Sequence, residues 1–332
     1  MPDPILITTL VAGLVILVVA GNFLVSGAVA LAQRLGVAPI VTGMVIVGFG
    51  TSLPELIISI NAGIQSAGGI ALGNIVGSNI ANIWLVLALP AFLLPVPSDG
   101  RGIRETLLFL LLVTAIWIYI TATSPLLPAH GLGLLGLLAV FVGVTIWRSM
   151  RMVRREKMAT GAMPEPVPTP TRKLVVLIAV GVIGLPIGAH FALVGGMGVA
   201  RHYGVSEEVI GLTLIGLGTS LPELVAGLIA VIRRRGDILI GNVIGSNIFN
   251  ILAAGGAVAL FGPVDIAPTF RLYDHWVLAI ATLTLTLFVM SRSKVSRLAA
   301  LAMMLVYALY IAGLVNRWNI LAEVQGWFHA SG

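Results

Sequence analysis

The sequence predicts an all-α, polytopic membrane protein of about ten transmembrane helices, arranged as two inverted five-helix repeats. Three observations lead there: an extreme apolar composition, a series of ten long apolar runs, and two motifs that recur 168 residues apart. Of the 332 residues, 58% are hydrophobic and only 10% are charged. A soluble domain carries about 25% charged residues, so that class is excluded. The mean hydropathy of +1.07 agrees. With no Cys in the chain, disulfides, thiolate metal sites and thiol catalysis are excluded as well.

A membrane-spanning helix needs roughly 20 apolar residues. Runs bounded by charge, Gly or Pro place the spans at 5–32, 39–64, 70–94, 106–124, 126–147, 174–200, 208–232, 238–261, 272–290 and 298–316. The first is expected to be a genuine span and no signal peptide, because Asp3 stands where a basic leader segment belongs. Between the fifth and sixth spans lies a linker, 148–173, in which Pro164, Pro166, Pro168 and Pro170 prevent a continuous helix. The chain thus divides into a first five-helix repeat over 1–147, the linker, and a second repeat over 174–332. At about 25 residues the linker is too short to hold a regulatory domain.

The net charge of +6 does not indicate a nucleic-acid partner, because the basic residues follow topology. Sixteen of the nineteen lie in alternate loops: Arg34; Arg101 and Arg104; Arg148 to Lys173; Arg233, Arg234 and Arg235; Arg292, Lys294 and Arg297. Only Arg201, Arg271 and Arg317 lie on the other side. The positive-inside rule then puts the linker in the cytoplasm and both termini outside, with the lipid bilayer as the surrounding partner.

The repeat is the strongest signal. Gly50-Thr51-Ser52-Leu53-Pro54-Glu55-Leu56 recurs without change from Gly218 to Leu224. The segment from Gly73 to Ile83, which includes Asn74, Gly77, Ser78, Asn79 and Asn82, recurs from Gly241 to Ile251 with Asn242, Gly245, Ser246, Asn247 and Asn250. An odd number of spans separates the copies, so they should cross in opposite senses. Inverted repeats place a substrate site near the midplane, where interrupted helices of both halves meet.

Of the 13 acidic residues, only Glu55 and Glu223 are expected inside spans, at matched positions. An intramembrane carboxylate costs about 2.5–3.5 kcal/mol on insertion scales, and no Lys or Arg lies at comparable depth to pair with either. A cation is the simplest compensation. On a continuous helix Thr51 and Glu55 share a face, as do Asn74, Ser78 and Asn82; Thr219, Glu223, Asn242, Ser246 and Asn250 repeat the arrangement. All are oxygen donors, suited to hard cations such as Ca2+. Pro54 and Pro222 leave the carbonyls of Gly50 and Gly218 without an amide partner. The Gly73/Gly77 and Gly241/Gly245 pairs read as close-packing surfaces that bring the Asn-bearing helix to the Glu-bearing one. Asn79 and Asn247 are expected to hold helices together, and His190 to be a packing histidine.

At these motifs the sequence resembles the cation/calcium exchanger superfamily, in its prokaryotic sodium/calcium exchanger branch, over essentially the whole chain. The resemblance implies a secondary antiporter, not an enzyme, exchanging Ca2+ for Na+ in the plasma (inner) membrane of a prokaryote, three sodium ions per calcium, without a cofactor. It further implies Glu55 and Glu223 as central ligands, with the backbone carbonyls of Thr51 and Thr219 as further Ca2+ ligands. Ser52, Ser78, Asn82, Ser220, Ser246 and Asn250 would complete adjacent sodium sites. Some relatives, notably the potassium-dependent ones, carry Asp at the position of Asn250, so Asn argues against potassium dependence. A proton-coupled cation antiporter is the main alternative. A channel is disfavoured because the paired site sits within one chain rather than in an oligomeric pore. An intramembrane enzyme is disfavoured because no repeated nucleophile accompanies the acids.

Overall fold

The computed structural model describes residues 3–98, 103–160, 169–205, 218–268, 270–291 and 293–330. Among them the chain is all-helical, apart from two isolated β-bridges. Eight helices are long and apolar enough to cross a membrane, or nine when one bent pair counts as a single span.

Helix α1 spans Pro4–Leu35. Asp3 caps it, its carboxylate accepting from the Ile5 amide at 2.8 Å, and Pro4 occupies the first turn, where no amide hydrogen is needed. Gly36, at φ 68°, ends it in the left-handed conformation. The next span is broken: α2 (Ile40–Thr51) and α3 (Leu53–Ile64) meet at 44°. Helix α4 (Gly68–Leu93) passes through a π turn at Asn82–Leu87. The first half closes with α5 (Ile103–Thr123) and α6 (Pro128–Thr160).

Helix α7 (Thr171–His202) is followed by α8 (Leu221–Ile232). The span expected at 208–232 is seen only in this second part, since 206–217 lie outside the described residues. Helix α9 (Gly236–Ala259) carries a π turn at Asn250–Gly255, at the position matching that in α4. Last come α10 (Phe270–Met290) and α11 (Arg297–Ala330). The fifth span was expected to stop at 147, yet α6 continues to Thr160. Residues 148–160 hold no Gly or Pro, so nothing there interrupts the backbone hydrogen bonds.

The two motif-bearing helices form the centre. The apolar window of α9 is 100% buried and that of α4 78%, against 17–33% for the long outer helices, whose remaining apolar faces are exposed. A helix hydrophobic all round is a buried one or a membrane span; here the inner pair is the first and the outer set the second.

Glycine spacing explains how the outer pair α1/α7 forms. A Cβ on Gly181, Gly188 or Gly195 would lie 2.4–2.7 Å from the backbone of Leu24, Leu17 or Leu10 respectively. The glycines rise in steps of seven as their partners fall in steps of seven, so the helices run antiparallel with backbones in contact. Only residues without a side chain permit that approach. The halves are also strapped to each other beyond the helices. Val96, after α4, bridges to Val295 before α11, and Val264, after α9, bridges to Leu126 before α6.

Candidate functional site

Each motif residue is placed by a local backbone feature. Ser52 is the residue at the break between α2 and α3, with φ −81° and ψ 7°. Leu53 and Pro54 then start a new helix, so Pro54 sits in a first turn instead of inside a continuous helix. This corrects the expectation that Thr51 and Glu55 share one helical face: they lie on opposite sides of a break. Ser220, with φ −87° and ψ 6°, starts α8 in the same way, with Pro222 and Glu223 in its first turn. The break swings both carboxylates into the centre, where Glu55 and Glu223 are each 0% exposed.

The motif residues of the two halves meet. The Ser52 hydroxyl donates to Glu223 Oε1 at 3.0 Å, and the Thr51 hydroxyl lies 3.2 Å from Asn242 Oδ1 while also donating to the Val47 carbonyl at 2.9 Å. Glu55 faces the Thr219 and Ser220 hydroxyls and lies within electrostatic reach of Glu223, but closes a hydrogen bond to neither hydroxyl. Thr219, Ser220, Ser78, Ser246, Asn82 and Asn250 are all buried around the carboxylates' helices. Ser246 donates to the Gly48 carbonyl at 3.2 Å. Asn82 Nδ2 donates to Asn247 Oδ1 at 3.0 Å.

Buried polar atoms without partners concentrate here. Among the described residues thirteen such side-chain atoms occur. Eight belong to the repeated motifs: both oxygens of Glu55, Oε2 of Glu223, the Ser220 hydroxyl, Oδ1 of Asn79 and of Asn82, and both polar atoms of Asn250. Native interiors leave few such atoms unpaired, and each needs an explanation. Two buried carboxylates without a basic partner among the described residues, with spare hydroxyl and amide oxygens on the same motifs, offer an oxygen donor set suited to a hard cation. No three His, Cys, Asp or Glu side chains come together among the described residues, which sets this arrangement apart from an N/S transition-metal centre.

Asn74 and Asn242 brace rather than line the site. Asn74 Nδ2 donates to the Glu55 carbonyl at 3.0 Å and to the Ser59 hydroxyl at 2.9 Å. Its counterpart Asn242 reaches the Glu223 carbonyl at 3.4 Å; Gly227 stands where Ser59 would be, so its Nδ2 lacks the second acceptor that Asn74 has, while its Oδ1 meets the Thr51 hydroxyl of the other half. Asn79 and Asn247 do hold the halves together: each amide nitrogen donates to the other's backbone carbonyl, at 3.3 and 3.2 Å.

Three readings change. The Gly241/Gly245 surface packs against α2 of the other half, not against the Glu223-bearing helix: a Cβ on them would lie 2.5 Å from the Ile40 carbonyl oxygen and 2.3 Å from that of Met44. For Gly73 and Gly77 the corresponding positions fall outside the described residues. His190 is exposed and rests beside the Phe191 ring, so it is no packing histidine. Asp274 is a further acid inside a span, contrary to the expectation that Glu55 and Glu223 are the two. It lies in the first turn of α10, where the Tyr310 hydroxyl donates to it at 3.3 Å.

Comparison with known proteins fits this geometry. The family model described as sodium/calcium exchanger protein matches residues 5–147 and 173–316. CaxA of Alkalimonas amylolytica is 36% identical over 289 residues, covering 86% of this chain and 90% of its own. The inner membrane protein YrbG of Escherichia coli (strain K12) is 32% identical over 290 residues, covering 86% and 88%. The sodium-calcium exchanger NCX_Mj, in crystals soaked with zero Na+ and Ca2+, superposes with a TM-score of 0.81 at 31% identity, covering 93% of this chain and 99% of that one. That family is one of transporters and not an enzyme class. The apolar helices, the paired buried carboxylates and these likenesses lead to one conclusion: the chain belongs to the sodium/calcium exchanger protein family, as a multi-pass cation antiporter of its prokaryotic branch.

Proposed function

We propose that this protein exchanges Ca2+ for Na+ across the plasma (inner) membrane of a prokaryote by alternating access at a site between its two halves. The observation that carries the reading is that, among the described residues, eight of the thirteen unpartnered buried polar atoms belong to the repeated motifs, three of them carboxylate oxygens of Glu55 and Glu223. Isolated buried charges cost several kcal/mol each, and a divalent ion between two carboxylates removes that cost. The proposed ligands are Glu55 and Glu223 with the backbone carbonyls of Thr51 and Thr219 for Ca2+. Ser52, Ser78, Asn82, Ser220, Ser246 and Asn250 would complete adjacent sodium positions. The likeness to NCX_Mj, a sodium-calcium exchanger, supports sodium as the coupling ion.

The same reading holds that the chain is two inverted five-helix repeats, 1–147 and 174–332, joined by a cytoplasmic linker at 148–173, with both termini outside. The antiparallel α1/α7 pair supports the inversion, since these are matched helices of the two halves. The span expected at 208–232, of which α8 is the described part, is counted among the ten in this reading.

Calcium uptake into sealed vesicles, with sodium or proton gradients imposed in turn, tests the proposal. Uptake should require internal sodium and be lost when the sodium gradient is collapsed. Uptake driven by a proton gradient alone would establish proton coupling, and uptake without any counter-ion would establish a channel.

A further inference from the structure

The two halves match at almost every motif position, so a place where their packing differs is informative. One lies against the second π turn. Gly255 is the last residue of the turn that begins at Asn250, and a Cβ there would lie 2.5 Å from Cζ3 of Trp117. Trp117, on α5, is 0% exposed and its indole nitrogen has no hydrogen-bond partner among the described residues. The ring is fully enclosed, and the turn that carries it is held: Thr121 donates to the Trp117 carbonyl at 2.7 Å and lies 2.9 Å from Nε2 of the buried His275. In the other half the matching positions are Leu87, ending the π turn of α4, and Leu285 on α10. Both leucines are buried. Bulk is divided between two leucines in one half and concentrated in a tryptophan against a glycine in the other.

The consequence falls on Asn250. Its Oδ1 and Nδ2 are both unpartnered, whereas Asn82 is tied down by Asn247. Asn250 therefore lacks a side-chain hydrogen bond to orient it, and its direction depends on the backbone of the π turn. A π turn is a local departure from the α-helical ladder, commonly found at functional sites, and its shape is set by what packs on it. We propose that Trp117 is a positioning residue for the transport site: its ring, wedged on Gly255, holds the π turn that aims Asn250. This rests on the reading of Asn250 as part of the ion site. It makes the two amides unequal by construction, one oriented by a hydrogen bond and the other by a remote ring.

Residues that orient a metal ligand typically change ion affinity by about 10–100-fold when lost. The test is sodium-dependent calcium uptake by the full-length chain in proteoliposomes, measured for Asn250→Ala, Trp117→Leu, Trp117→Phe and the double variant Trp117→Leu/Gly255→Leu. Asn250→Ala and Trp117→Leu should each raise the apparent sodium half-saturation concentration about tenfold, with the maximal rate at saturating sodium largely retained. Trp117→Phe should fall between Trp117→Leu and the wild type. The double variant, which copies the two-leucine packing of the first half, should recover most of the lost affinity. If Asn250→Ala shifts the sodium dependence while both Trp117 variants leave it unchanged, or lower only the amount of folded protein, the positioning role is refuted and the site stands. If Asn250→Ala itself has no effect on either ion, the site assignment fails at this residue and the positioning role falls with it.

Discussion

Replacing Glu55 by Gln separates the electrostatic part of the site from its shape. The Glu55 side chain is fully buried, neither carboxylate oxygen has a hydrogen-bond partner among the described residues, and Glu223 is close enough to repel it. Gln keeps the volume and removes the charge. Without ions, that change takes an unpaired charge out of the interior, so the ion-free variant should be at least as stable as the wild type. With Ca2+ the sign reverses, because one of two balancing charges is gone. Breaking a buried charge pair costs about 3–5 kcal/mol, which is roughly a hundredfold or more in affinity. Thermal unfolding of the detergent-solubilised protein reads both effects. At a Ca2+ concentration of 100 Kd, binding contributes about 2.7 kcal/mol to the wild type. An unfolding entropy of about 2.1 cal/mol/K per residue over 332 residues converts this to a midpoint rise of about 4 °C. At the same Ca2+ concentration a variant weakened a hundredfold is half saturated, contributing about 0.4 kcal/mol, and moves by less than about 1 °C. Glu223→Gln should lose calcium equally, although Ser52 can still donate to its amide oxygen. The reasoning is refuted if Glu55→Gln keeps a calcium-dependent rise of several degrees, or if its ion-free midpoint falls clearly below that of the wild type.

The remaining predictions concern charge movement and packing. With Asn at both 82 and 250, the two carboxylates carry the whole site charge, so Ca2+ leaves it neutral and three sodium ions leave it at about +1. One charge through 100 mV is worth about 2.3 kcal/mol; sodium-loaded vesicles held inside-negative should take up calcium more slowly than vesicles clamped at zero potential, and indifference to a valinomycin-imposed potential would point to an electroneutral exchange. Gly245→Ala should weaken the fold by about 1–3 kcal/mol, because its Cβ would sit 2.3 Å from the Met44 carbonyl oxygen; unchanged unfolding and unchanged transport would show that α2 and α9 have room to part. Asn79→Ala leaves the Asn247 carbonyl without its donor and should cost about 1–3 kcal/mol; a double-mutant cycle with Asn247→Ala should show coupling, and simple additivity would mean the two amides act independently.

Much of this protein is written along single helices and is therefore readable from sequence. Apolar runs long enough to span a bilayer report the helices, since backbone groups in lipid have no other partner. The recurrence of the Glu55 and Asn82 motifs at Glu223 and Asn250 picks out the site residues, because two acids at matched depth need a common explanation. The structure brings them together, with both carboxylates buried and oxygen donors around them. What crosses between helices was not legible. Periodicity put Thr51 and Glu55 on one face, but the chain breaks at Ser52, and the Thr51 hydroxyl then meets Asn242 of the other half. Glycine spacing announced a close-packing surface on α9 without saying that α2 would fill it. The inequality of the halves is likewise tertiary. Gly227 in place of Ser59 takes one acceptor from Asn242 Nδ2, and Trp117 against Gly255 replaces Leu87 and Leu285, because what a side chain meets depends on neighbours that come from distant parts of the chain. Sequence alone thus picked out the candidate site residues; the packing of one half against the other decided what each of them meets.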